Sequence, residues 1–143
     1  MTVVERTALV PYSAEQLFDI VNDVRCYPAF LPWCESAQVI EETHETLTAT
    51  LTLARAGIRQ SFTTKNFNEP PGRIHLTLIE GPFSKLDGVW TFTQLGNDGA
   101  RVHMRLEFEV SNRLLRTTLS AAMGKIADTL VDAFCDRARV LHG

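Results

Sequence analysis

Residues 112–142 read NRLLRTTLSAAMGKIADTLVDAFCDRARVLH. The stretch has no proline and one interior glycine, Gly124, so little in it interrupts a helix. Turning each residue by about 100° puts Leu115, Leu119, Ala122, Met123, Ile126, Leu130, Ala133, Phe134 and Leu141 on one stripe. Arg113, Thr117, Ser120, Asp128 and Arg139 fall elsewhere. Arg137 falls on the stripe, where it either snorkels its charge to water at the helix end or anchors a ligand headgroup. Burying each large apolar side chain contributes roughly 1.5–3 kcal/mol, so a helix of this kind must lie on an apolar surface.

That surface precedes it in the chain. Thr46, Thr48, Thr50 and Thr52 alternate with Leu47, Ala49, Leu51 and Leu53, the two-residue period of a strand with one buried face. Ile74, Leu76 and Leu78 alternate with Arg73, His75 and Thr77. Val102, Met104, Leu106, Phe108 and Val110 alternate with Arg101, His103, Arg105, Glu107 and Glu109. Ala56-Gly57, Pro70-Pro71-Gly72, Gly81-Pro82 and Gly96-Asn97-Asp98-Gly99 mark the turns between strands. Links this short imply antiparallel neighbours, and one apolar face per strand implies a single covering layer.

Residues 2–10 suit another strand, ended by Pro11. Ser13 and Gln16 have the spacing of a capping box, with Tyr12 and Leu17 placed for a hydrophobic staple. Leu17, Ile20, Val21 and Val24 follow at helical spacing. Residues 27–34 carry two prolines and fit only a short helical turn. The order is strand, two short helices, six strands, long helix. This is an α+β chain in which a seven-stranded antiparallel sheet is covered by its C-terminal helix, as one domain over residues 1–143. One helix on a twisted sheet covers its centre but not its ends. Ala122 and Ala133 leave additional room, to be filled by loops, water or an apolar guest.

Composition narrows the function. Of the 143 residues 45% are hydrophobic, and the net charge of −3 argues against DNA binding. Acidic groups crowd residues 1–50, whereas Val110–Ala127 carries Arg113, Arg116 and Lys125 with no acid. No run approaches the roughly 20 apolar residues of a membrane span, and the N-terminus does not read as a secretory signal. Cytoplasmic residence is the expectation. Cys26, Cys34 and Cys135 form no Cys-x-x-Cys pair and read as isolated reduced thiols. There is no phosphate-binding glycine loop, nucleophile elbow or metal-ligand cluster. His75 and His103 lie on the polar phase of their strands, and no carboxylate pair suggests an acid/base dyad. No catalytic residue, metal or required cofactor is expected.

Two aromatic segments remain. Tyr27-Pro28-x-Phe30-Leu31-Pro32-Trp33-Cys34 resembles the hallmark segment of the coenzyme Q-binding START-domain family, a branch of the polyketide cyclase/START-like superfamily. Gly81-Pro82-Phe83-x-x-Leu86-x-Gly88-x-Trp90-x-Phe92 resembles a second family segment. The resemblance covers essentially the whole chain. It implies a START-like helix-grip fold and a non-catalytic role, holding ubiquinone or a similar lipid between sheet and helix to support respiratory electron transport. The expected lining starts with Phe30, Leu31 and Trp33. It continues on the strands with Phe62, Leu76, Leu78, Phe83, Trp90, Phe92, Met104, Leu106 and Phe108. The helix adds Leu119, Met123, Ile126 and Leu130. A long tail would protrude into a membrane surface or a partner subunit, the former placing the protein peripherally at the inner face of a membrane. The family also includes bacterial members described as ribosome-association toxins. Their likeness makes Arg113, Arg116 and Lys125 candidates for contact with the large ribosomal subunit or a membrane. A cyclase- or aromatase-like enzyme is the third alternative, and requires Gln60 or Asn66 to point inward.

Overall fold

The computed structural model describes residues 1–143. Strand β1 (Thr2–Val10) leads into helix α1 (Ala14–Asn22), a 3-10 turn (Val24–Cys26) and the short helix α2 (Tyr27–Phe30). Six strands follow: β2 (Cys34–Glu42), β3 (Thr46–Arg55), β4 (Ile58–Glu69), β5 (Arg73–Glu80), β6 (Phe83–Leu95) and β7 (Gly99–Val110). The chain closes with α3 (Arg116–His142). The strands form one antiparallel sheet in the order β1-β7-β6-β5-β4-β3-β2. This is the helix-grip architecture expected, with two short helices after the first strand and the long helix last.

Local chemistry accounts for the elements. Ser13 Oγ accepts from the Gln16 N–H while Gln16 Oε1 accepts from the Ser13 N–H, closing the capping box. Gln94 on β6 also accepts from the Ala14 N–H at 2.8 Å, fixing the start of α1 to the sheet. Strand β7 alternates buried and exposed residues along almost its whole length. The β3–β4 hairpin turns on Ala56 and Gly57, both at positive φ, the backbone a two-residue turn of this hand requires.

Two expectations are corrected. The helix begins at Arg116, not Asn112, because the Asn112 side chain accepts the Leu114 N–H at 2.9 Å and holds 112–115 as a turn. The helix also does not lie over the sheet's centre. Its backbone lies closest to β1, β7 and α1, so one half of the sheet carries it directly. Toward β3–β5 the helix and the sheet face each other through the side chains of Met123, Ile126 and Leu130 on one side and Leu51, Phe62 and Leu76 on the other. This lateral offset creates the gap described next.

Candidate functional site

The gap is an apolar cavity of about 90 Å³ lined by thirteen residues, twelve of them hydrophobic. Trp33 enters from the segment after α2, Phe62 and Thr64 from β4, and Leu76 from β5. Trp90 and Leu106 come from β6 and β7, and Met123, Ile126 and Leu130 from α3. The remaining lining residues are Tyr27, Leu51, Leu86 and Phe134. Thr64 is the one polar member. Leu76 and Leu130 are half-buried while most of the others are buried, so they are the lining side chains nearest to solvent.

An aromatic cluster forms one wall. The Phe134 ring meets Tyr27 at 5.4 Å, Phe30 at 5.5 Å and Trp90 at 5.2 Å, all edge-on. The Tyr27 hydroxyl donates to the Val21 carbonyl, which ties the wall to α1, and burial pushes its pKa upward. Burial likewise pushes the Cys34 thiol up to about 11. Cys34 therefore stays protonated at neutral pH and is a poor nucleophile.

Eight residues expected to line the site are brought together there: Trp33, Phe62, Leu76, Trp90, Leu106, Met123, Ile126 and Leu130. Eight others are not. Met104, Phe108 and Leu119 are almost fully buried on the side where α3 rests directly on the sheet, and serve as packing. Phe92 lies under α1, 5.9 Å from the Phe18 ring. Phe83 packs edge-on against Phe62 at 5.8 Å and is not itself part of the cavity lining. Leu31 is buried in the core beneath the proline segment, and Leu78 sits half-buried near the end of β5. Phe30 faces a second, mixed cavity of about 190 Å³ between α1, α2 and the end of α3.

Arg137 and Leu141 also border this second cavity. The Arg137 guanidinium lies 5.0 Å from the centroid of the Phe30 ring, a cation–π contact at the border of this cavity. Leu141, expected on the buried stripe, is half-exposed there, and Ala127, Val131 and Ala138 are buried in the stripe instead.

Tyr27, Leu51, Thr64, Leu86 and Phe134 were missed as lining, though their signals were present. Leu51 and Phe134 lie on apolar phases already identified, Leu86 and Tyr27 lie inside the two aromatic segments, and Thr64 shares the phase of Phe62. Gln60 and Asn66 share that inward phase too, but neither lines the cavity. Arg113, Arg116 and Lys125 are exposed and enter none of the ion pairs. Between the two arginines stands Leu114, 92% exposed. No helix is long and apolar enough to cross a membrane.

Comparison with known proteins agrees with this architecture. The family model described as polyketide cyclase / dehydrase and lipid transport matches residues 10–135. Ribosome association toxin RatA of Pseudomonas aeruginosa is 44% identical over 99% of this chain and 99% of its own length. The mitochondrial coenzyme Q-binding protein coq10 of Schizosaccharomyces pombe is 24% identical, over 94% of this chain and 85% of that protein. A START superfamily protein from Mycobacterium smegmatis superposes with a TM-score of 0.82 at 22% identity, covering 97% of this chain and 98% of that one.

Proposed function

The chain belongs to the polyketide cyclase/dehydrase and lipid transport family, and on that premise we propose that it binds an apolar small molecule of the quinone class between sheet and α3, without chemical conversion. The observation that carries this is the cavity itself, which is almost wholly apolar and sits where the helix leans away from the sheet. Binding sites for small molecules are usually concave and apolar with few polar anchors. Flat aromatic and thioether surfaces at Trp33, Trp90 and Met123 suit a polarizable ring. The name of the yeast relative supports the quinone class in particular.

At about 90 Å³ the cavity is smaller than the sites of roughly 300–1,000 Å³ that enclose drug-sized ligands. Admitting a ring therefore requires the lining to part, and the half-buried Leu76 and Leu130 are best placed to swing outward. An isoprenoid tail would extend beyond the protein and be covered by a bilayer surface, consistent with a cytoplasmic protein working peripherally at the membrane. Extraction of the purified protein from a quinone-producing host, followed by mass spectrometry, tests the reading. Quinone or a related lipid near one equivalent per chain is the expected result. A protein that purifies free of lipid, and takes up no quinone from vesicles, would refute it.

A second reading, association with the large ribosomal subunit, is favoured by the name of the bacterial relative and by the unpaired Arg113 and Arg116. Phosphate contacts of this kind weaken steeply with salt. If they operate, Arg113→Glu with Arg116→Glu should lower co-sedimentation with purified subunits about tenfold or more at moderate salt. Unchanged co-sedimentation removes the arginines from any such interface.

A further inference from the structure

Strand β4 turns a row of side chains toward the concave face: Phe62, Thr64, Asn66 and Asn68, each between 7% and 8% exposed. The first two line the cavity. Asn66 follows Thr64 by one strand repeat, about 7 Å farther along. Its cross-strand neighbours are Leu47 on β3 and Leu76 on β5, and Leu76 also lines the cavity. An amide is thus set between two leucines beside an apolar chamber.

The two asparagines differ in one respect. Asn68 Nδ2 donates to Asn22 Oδ1 at 2.9 Å, so that side chain is tied to the end of α1. Asn66 has no such tether; the Oδ1 of both asparagines is buried without a partner, but only Asn66 leaves its whole amide uncommitted. A buried amide oxygen with no hydrogen bond is costly, and a leucine or valine would fit a strand at this position without that cost. Positions that sacrifice stability in this way are often functional.

Resting on the ligand-binding reading above, we propose that Asn66, which stands behind Leu76 and outside the closed lining, becomes the polar anchor when Leu76 swings aside, hydrogen-bonding one neutral oxygen function of an otherwise apolar guest. A carboxamide offers both a donor and an acceptor, and a half-turn about its last bond exchanges them. It can donate to a ring carbonyl or accept from a ring hydroxyl, so it serves oxidised and reduced forms of one ring system. No charged side chain lines the cavity, so a carboxylate headgroup would be buried without a counter-charge and is selected against.

The test uses the full chain and two probes of equal tail length, a decyl-substituted dimethoxybenzoquinone and decylbenzene. Trp33 and Trp90 are the only tryptophans and both line the cavity, so their fluorescence reports quinone binding, and displacement reports the hydrocarbon. Asn66→Leu should weaken the quinone about five- to tenfold, the loss of one hydrogen bond, while leaving decylbenzene unchanged and raising Tm. Asn66→Val should behave alike if the larger side chain does not fit. Equal effects on both probes, or a lower Tm with unchanged quinone affinity, would show that the amide serves the fold and overturn the anchor. If the unaltered protein binds neither probe, the ligand-binding reading itself fails; if it binds both and the variants bind them equally well, only the anchor does.

Discussion

Phe134→Ala should destabilise the protein by about 3–5 kcal/mol, near the top of the range for removing a buried aromatic side chain. Phe134 is 1% exposed, and its ring contacts those of Tyr27, Phe30 and Trp90. It thereby joins α3 to α2 and to β6. Edge-on aromatic pairs contribute about 0.5–1.5 kcal/mol each beyond area burial, so three of them place this site above an ordinary core leucine. The neighbours cannot readily collapse into the space. Trp90 is fixed on the sheet, stacked on Phe92 with an interplanar angle of 3°, and Tyr27 is tied to Val21. The vacated volume would instead merge with the 90 Å³ cavity. Urea denaturation provides the measurement: the midpoint should fall with little change in slope. A loss below about 1 kcal/mol would mean that α2 and the end of α3 are held by other contacts.

The same cluster shows what could be read from the chain and what could not. Alternation along β3 and β7 identified the buried phase, because a strand places every second side chain on one face; the exception is Thr52, buried on the polar phase with its hydroxyl paired to Ser61 Oγ at 2.9 Å. The proline-stiffened aromatic segment and the Gly81–Phe92 segment marked the cavity's neighbourhood through resemblance. Helical periodicity showed which face of α3 is covered but carries no information on where the helix lies across the sheet. That position depends on packing against α1, β1 and β7 together. For this reason Met104, Phe108 and Leu119 were expected in the cavity and are instead packed in the contact between the helix and β7. The helix start shifted for a local reason, since one Asn112 side chain competes with the first helical hydrogen bonds. Asn66 was noted only as an enzyme's possible polar group. Its orphaned oxygen is a property of the packed state that spacing does not reveal.

Gly88→Val should abolish quinone binding, lowering affinity at least about a hundredfold, while the protein still folds. Gly88 shares the inward phase of Leu86 and Trp90 on β6, and its cross-strand partners are Leu76 and Leu106. A Cβ placed there would stand 3.0 Å from Leu76 Cγ and 3.1 Å from Leu106 Cδ1. Both leucines line the cavity, so the absence of a side chain at 88 lets them settle back against the sheet. An isopropyl group would push them toward α3 and into a chamber of only 90 Å³. The obstruction comes from flexible leucine ends and not from backbone, so the cost to the fold is that of moderate overpacking, about 1–3 kcal/mol. Valine also suits a strand better than glycine, which offsets part of that cost. Gly88→Ala should give an intermediate loss of binding, because its Cβ demands a shift of only a few tenths of an ångström from the same neighbours. Tryptophan fluorescence titration with the decyl-tailed benzoquinone, beside thermal denaturation of each variant, separates closure of the cavity from loss of fold. A folded Gly88→Val protein that binds quinone as tightly as the unaltered one would mean that the ring sits elsewhere, and would take the cavity out of the mechanism.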